Sequence, residues 1–301
     1  MDRKPPCILA IGEMLWDELP SGAMPGGAPL NFAWHCHQLG AEVVLISRVG
    51  ADERGDALRE LLQSWRISDR WLQTDATRPT GRVEVRLSAS GEPSYSILEN
   101  VAYDAIEWPP LDSEIWARVD AISYGTLAQR SPQSQSAIQF GLAHANPRLR
   151  ICDLNLRPPF VDARTVQASI QAANWLKLNE MELPNVAEML GLPGHSPDDW
   201  VLELQRREPQ LQLVVQTLGE AGCRLWANGQ SWQIPGVSVP VVDTVGAGDA
   251  FTAALWIRRW HGADWPIAAL HATQYAALVV QHPGGTPRIP NTDFPWNQVR
   301  S

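Results

Sequence analysis

Short apolar runs alternate with amphipathic stretches along most of this chain, and that alternation constrains its fold more than any other feature. Residues 7–11 read as a buried strand that ends at Gly12. Pro25-Gly26-Gly27 makes a turn, and Pro29 suits the first position of a helix that runs to about Leu39 and is stopped by Gly40. Residues 42–47 form a second strand, and a loop rich in Gly and Asp leads into a helix over 55–64. A strand–helix–strand rhythm is the mark of a parallel sheet with crossover helices. It returns after Trp108, with strands expected at 121–124, 150–154, 175–178, 213–217 and 222–227 and a strand pair across 231–242. Helices are expected over 248–260 and 266–280, and the length of 301 residues fits one large α/β domain or two smaller ones.

The segment 80–103 breaks the rhythm. Arg82-Val83-Glu84-Val85-Arg86-Leu87 alternates with period two, Gly91-Glu92-Pro93 is a turn, and residues 95–98 resume as a strand. This is a hairpin with one wet face. Within a parallel α/β chain it reads as a lid over a site or as a hairpin at the edge of the main sheet.

Charge and composition exclude some functions. The net charge is -9 and there is no basic run, so nothing here would displace counterions from a nucleic acid. No apolar stretch reaches the length of a bilayer span, and the N-terminus lacks a signal-peptide core, so no membrane partner and a cytoplasmic location are expected. The 4 cysteines share no metal-like spacing and read as buried reduced thiols. His35 and His37 would point roughly 200° apart on a helix and cannot chelate one ion. Lysine occurs only at positions 4 and 177 in a chain that otherwise uses arginine, which singles out Lys177.

The stretch 239–251, Val-Pro-Val-Val-Asp-Thr-Val-Gly-Ala-Gly-Asp-Ala-Phe, carries the chemistry. An apolar run ends in a Gly-rich turn that opens into a helix, whose first N–H groups lack partners and carry positive potential. Glycines let a phosphate approach that backbone closely. Phe251 replaces the last glycine of a dinucleotide fingerprint, and the Gly-Lys-Ser/Thr of a Walker loop is missing. Asp249 in such a cradle would repel a resting phosphate, unless it accepts a proton beside an arriving phosphoryl group. On these residues alone it could equally be a first-turn acid that favours the helix dipole.

Residues 243–249 resemble the C-terminal signature of the ribokinase-like (PfkB) carbohydrate kinases. Gly26-Gly27-Ala28-Pro29-Leu30-Asn31 resembles that family's sugar-binding turn, and Gly50-Ala51-Asp52-Glu53-Arg54-Gly55 its Gly-x-Asp-x-x-Gly loop. Asp153-Leu154-Asn155-Leu156-Arg157, Lys177-Leu178-Asn179-Glu180 and Thr217-Leu218-Gly219-Glu220-Ala221-Gly222 are similar to its central and nucleotide-loop motifs, in the family's order. The resemblance implies one domain over residues 1–301, a three-layer α/β/α sandwich with a small β-sheet lid built from about 13–34 and 80–104, with ATP and Mg²⁺ as cofactors and a sugar as substrate.

It also implies roles. Asp249 would be the general base, Gly246, Ala247 and Gly248 an anion hole, and Arg157 a partner of the phosphates. Asp17, Gly27 and Asn31 would bind sugar hydroxyls. Lys177, Asn179, Thr217, Gly219 and Gly222 would bind nucleotide, and Glu180 would organise Mg²⁺ through water. K⁺ would sit at Asp243, Val245, Val279, His282 and Gly284, although Arg288 stands where the family often has a small hydroxyl residue. Gly12-Glu13, Gly26-Gly27-Ala28-Pro29 and Asn155-Leu156-Arg157 look most like fructokinases, which implies fructose phosphorylated at O6. A kinase for 2-keto-3-deoxygluconate or another ketose or pentose stays open, as does a sugar or nucleotide sensor without catalysis. A nicotinamide-dependent oxidoreductase rests on rhythm alone. The exposed lid edge invites a homodimer.

Overall fold

The computed structural model of the chain describes residues 4–19, 22–87, 93–111, 113–144 and 149–297. β1 (Cys7–Ile11) is followed by β2 (Leu15–Leu19), β3 (Gly22–Gly26), α1 (Ala28–Gln38), β4 (Glu42–Gly50), α2 (Glu53–Ser64) and β5 (Leu72–Asp75). β6 (Gly81–Leu87), β7 (Pro93–Ile97), α3 (Ser113–Arg118), β8 (Ala121–Tyr124) and α4 (Pro132–His144) come next. The alternation continues through β9 (Leu149–Asp153), α5 (Ala163–Ala172), β10 (Trp175–Asn179), α6 (Glu182–Met189), α7 (Pro197–Arg207) and β11 (Leu213–Thr217). β12 (Cys223–Ala227), β13 (Gln230–Ile234), α8 (Ala247–Trp260) and α9 (Trp265–Val279) follow.

The large sheet runs β13-β12-β11-β10-β9-β8-β1-β4-β5. It is parallel from β11 to β5, with β12 and β13 antiparallel at one edge. Both faces are dry, which explains why its strands read as unbroken apolar runs. On β1, Ile8 and Ala10 enter a core built with α1, α2, α8 and α9, while Cys7, Leu9 and Ile11 enter a second core under α4 to α7. Helices therefore cover both sides, giving the three layers that the resemblance implied. Cys7, Cys36, Cys152 and Cys223 are free and buried.

A second sheet, in the order β3-β2-β6-β7, stands apart. β2 pairs parallel with β6, and the other two pairings are antiparallel. Residues 88–92, which carry most of the expected turn, lie outside the described residues. From Ala28 onward the first lid segment belongs to α1 rather than to this sheet. The strand pair expected across 231–242 is β13 alone, because Pro235 and Pro240 have no N–H to give a ladder. Beyond β13 the chain runs irregularly to the glycine turn. Among the described residues no helix is long and apolar enough to cross a membrane.

Candidate active site

Parallel strands deliver their C-terminal ends to one side of a sheet, and ligands gather there. β1 ends before Gly12-Glu13, β9 ends at Asp153 and β10 at Asn179. Facing them is the start of α8, where Gly246 adopts a left-handed φ of 75° and no side chain caps the helix. The turn must be glycine for two reasons. L-residues pay for that φ, and a β-carbon on Gly246 would meet the Gly285 backbone at 2.5 Å. The Ala247 N–H reaches back to the Thr244 carbonyl at 3.3 Å.

Asp249 projects from the first turn of α8, mostly enclosed, and its Oδ2 accepts a 2.9 Å hydrogen bond from Asn31 Nδ2. Burial, then the charge of Asp153, raises the Asp249 carboxyl above its ordinary value; Lys177 and the Asn31 bond pull the other way without cancelling this. Lys177 Nζ lies 3.0 Å from Asp153 Oδ2, and a β-carbon on Gly248 would meet it at 2.6 Å. Its ammonium is thus seated against the bare Cα of the glycine turn. Burial alone would lower the Lys177 ammonium, yet Asp153, Glu182 and Asp249 outweigh that and hold it above its ordinary value. The set brings a proton-hungry carboxylate, a fixed cation and open backbone to one place.

Next to Lys177, Asn179 Oδ1 accepts from the N–H groups of Met181 and Glu182, each at 2.9 Å, while Glu182 accepts back from the Asn179 N–H at 2.7 Å. The other Glu182 oxygen accepts from the Leu156 N–H at 2.7 Å, tying β10 to the loop after β9. Burial raises the Glu182 carboxyl, while Lys177 opposes it. Glu180 is exposed and does not join this cluster.

On the small-sheet side, the Asp17 carboxylate lies over Gly26, where a β-carbon would meet its Oδ2. Burial raises Asp17 to about 6 against the pull of Arg157. Arg157 is exposed, and its Nη1 donates to the Leu156 carbonyl at 3.1 Å. Its charge also acts on Glu13, which is 3% exposed and raised to about 7, chiefly by burial. Among the described residues none hydrogen-bonds the buried Glu13 Oε2. Gly27 closes this corner, and its carbonyl accepts from the Asn31 N–H at 3.0 Å.

On the opposite side, half-buried Thr217, exposed Gly219 and buried Gly222 border the loop after β11. A shallow groove of about 210 Å³ runs beside the irregular segment, lined by Val237, Val239, Gln274, Ala277 and Leu278. Val241 and Val242 are each more than 60% exposed nearby, an apolar ledge that none of the described residues covers. Asp243 accepts from the N–H groups of Val245 and Gly284 at 3.0 and 2.9 Å, bringing three of the residues expected around K⁺ together. The Val279 carbonyl accepts from the His282 N–H at 3.0 Å, closing the last turn of α9.

A model of the pfkB family of carbohydrate kinases matches residues 22–292. The chain belongs to that family. As a pfkB kinase it is an ATP-dependent sugar kinase. Fructokinase-1 of Oryza sativa subsp. japonica is 32% identical over 272 residues, covering 84% of this chain and 82% of that protein. A sugar kinase of Pyrococcus horikoshii, PH1459, solved in complex with ATP, superposes with a TM-score of 0.77 at 27% identity, covering 93% of this chain and 94% of that one. Fructokinase of Xylella fastidiosa with bound ATP gives 0.82 at 21% identity, covering 94% and 95%.

In this pfkB kinase the residues missed by sequence reasoning are Glu13, Asp153, Glu182 and Gly285. Glu182 had a signal: an amide three residues before an acid, ahead of an apolar run, is the spacing of a reciprocal helix cap. Asp153 stood inside a quoted motif without a role. Gly285 had none, since its neighbours Asn31 and Gly246 are remote in sequence.

Proposed function

We propose that this kinase transfers the γ-phosphoryl group of ATP to fructose O6, with Asp249 as general base. The observation that carries the chemistry is the Asn31–Asp249 hydrogen bond, which aims a raised carboxylate at the glycine turn. The sugar lies between the small sheet and α8, with Asp17, Gly27 and Asn31 on its hydroxyls. Asp249 takes the O6 proton as O6 bonds to the γ-phosphorus, and the bond from that phosphorus to the β–γ bridging oxygen breaks, releasing ADP. The N–H groups of Gly246, Ala247 and Gly248 bind the charge on the transferring oxygens, with Lys177 behind Gly248 and Arg157 across the cleft. Thr217, Gly219 and Gly222 border the nucleotide, and the valine ledge receives its base. The small sheet closes over the sugar, excluding water as a rival acceptor.

Mg²⁺ arriving with ATP would neutralise phosphate charge. Glu182 fits it: a hard carboxylate whose oxygens each accept one amide and keep lone pairs for a metal-bound water. We move that role from Glu180 to Glu182. K⁺ beside Asp243, Val245 and Gly284 would brace the turn, and equal activity in K⁺, Na⁺ and tetramethylammonium salts would exclude it. A homodimer through the small sheet's free edge is the assembly we propose, read by sedimentation.

Fructokinase relatives favour fructose. One observation favours a second substrate: Arg157 acts on both sugar-side acids and would pair with a carboxylate on 2-keto-3-deoxygluconate. ADP release measured with ATP across hexoses, pentoses and keto-acids decides. Fructose with the highest kcat/KM supports the proposal, the keto-acid first would replace it, and no transfer to any sugar would mean a sensor.

A further inference from the structure

α1 carries two functional faces in one. Asn31 and His35 are one turn apart and share a side of the helix. Asn31 reaches Asp249, while His35, fully buried, reaches the loop that follows α9. His35 Nε2 lies 3.0 Å from the Gly285 carbonyl, and Nδ1 lies 3.0 Å from Tyr275 Oη. A carbonyl only accepts, so Nε2 carries the proton and Nδ1 accepts from the Tyr275 hydroxyl. Tyr275 Oη accepts in turn from Gln38 Nε2 at 2.7 Å, and Gln38 Oε1 accepts from the Ile289 N–H at 2.6 Å. Every donor and acceptor in this chain has one assignment. Burial lowers the imidazole to about 4, so it is neutral in the working range.

Gly285 is wedged at the centre of the site. A β-carbon on it would meet Asn31 Nδ2 at 2.7 Å, and a β-carbon on Gly246 would meet Gly285 Cα at 2.5 Å. Its neighbour Gly284 donates to Asp243, which also holds the Val245 N–H, and packs against Met24 of β3. Trp34 Nε1 adds a 2.9 Å bond to the Pro287 carbonyl. One loop therefore touches the small sheet, the sugar-side amide and the anion-hole glycine.

We infer that His35 is a positioning residue for phosphoryl transfer: by holding the Gly285 carbonyl it fixes Gly285 between Asn31 and Gly246, and so sets the base against the glycine turn. This inference rests on the proposed roles of Asp249 and Gly246. His35 touches no substrate, so its loss should act on turnover far more than on binding.

The test compares His35→Leu, His35→Gln and Tyr275→Phe with the wild type, on whichever sugar the wild type phosphorylates. His35→Leu should lower kcat about 100-fold with both KM values within about 3-fold, the split expected when only transition-state geometry is lost. His35→Gln, whose amide can donate and accept, should recover at least about a tenth of wild-type kcat. Should the leucine protein fail to fold, Tyr275→Phe decides, because it removes a single hydroxyl; a kcat loss of about 10-fold at unchanged KM is expected. A folded His35→Leu or Tyr275→Phe enzyme with wild-type kcat overturns the inference, as does equal loss in the Leu and Gln variants with rising KM. A wild type that transfers phosphate to no sugar would defeat the proposed function instead, and this inference with it.

Discussion

Asn31 Nδ2 donates to Asp249 Oδ2 at 2.9 Å across 218 residues of chain, joining α1 to the start of α8. The bond favours the ionised form of Asp249, the proposed base. Replacing Asn31 with Leu keeps the volume and removes the donor, so the Asp249 carboxyl rises further. The base then stays protonated to higher pH, and the acid limb of the kcat/KM profile should move to higher pH. The sugar KM should rise as well. A pH–rate series on both proteins checks this.

Lys177 is held between buried carboxylates and against Gly248. Lys177→Met would leave Asp153 and Glu182 without their counter-charge, at a cost of about 3 kcal/mol in chemical denaturation. Lys177→Arg keeps the charge, but its planar fork has no room beside that glycine. It should fold and lose at least about ten-fold in turnover.

Glu13 titrates against stability. Its folded carboxyl sits at about 7, above the ordinary 4.5, so its contribution is full below pH 4.5 and lost as pH rises through 7. Glu13→Gln removes the ionisation. At pH 8 it should be the more stable protein, by about 3 kcal/mol at most, and the advantage should vanish near pH 4. Urea melts of both proteins across that range are the measurement.

Much of the fold was legible because both faces of the large sheet are dry, so its strands appear as apolar runs and its helices as stripes. The small sheet was legible through the period-two run at 82–87. The segment after β13 was not, since residues 237–242 are nearly as apolar as a strand, yet Pro240 interrupts any ladder and the Val242 N–H goes instead to the Val280 carbonyl at 2.8 Å. For the site, the glycine turn was legible in the 243–249 stretch, whereas those residues alone left Asp249 open as a first-turn acid, and its proposed role came from the family resemblance. The family resemblance implies Glu180 as the acid beside Asn179, whereas the reciprocal Asn179–Glu182 hydrogen bonds turn Glu182 inward and Glu180 is exposed. The Gly285 wedge was hidden because it exists only once α1, α8 and the loop after α9 meet. The same holds for the raised carboxyls of Glu13 and Asp17, whose cause is burial by segments far apart in sequence.

The most direct measurement is turnover of Asp249→Asn beside ATP affinity in the same protein. The amide preserves shape and cannot take the sugar proton, so kcat should fall by about 10³-fold or more while ATP affinity changes little. An Asp249→Asn enzyme with kcat within about ten-fold of the wild type would contradict the account, since the proton would then have another acceptor.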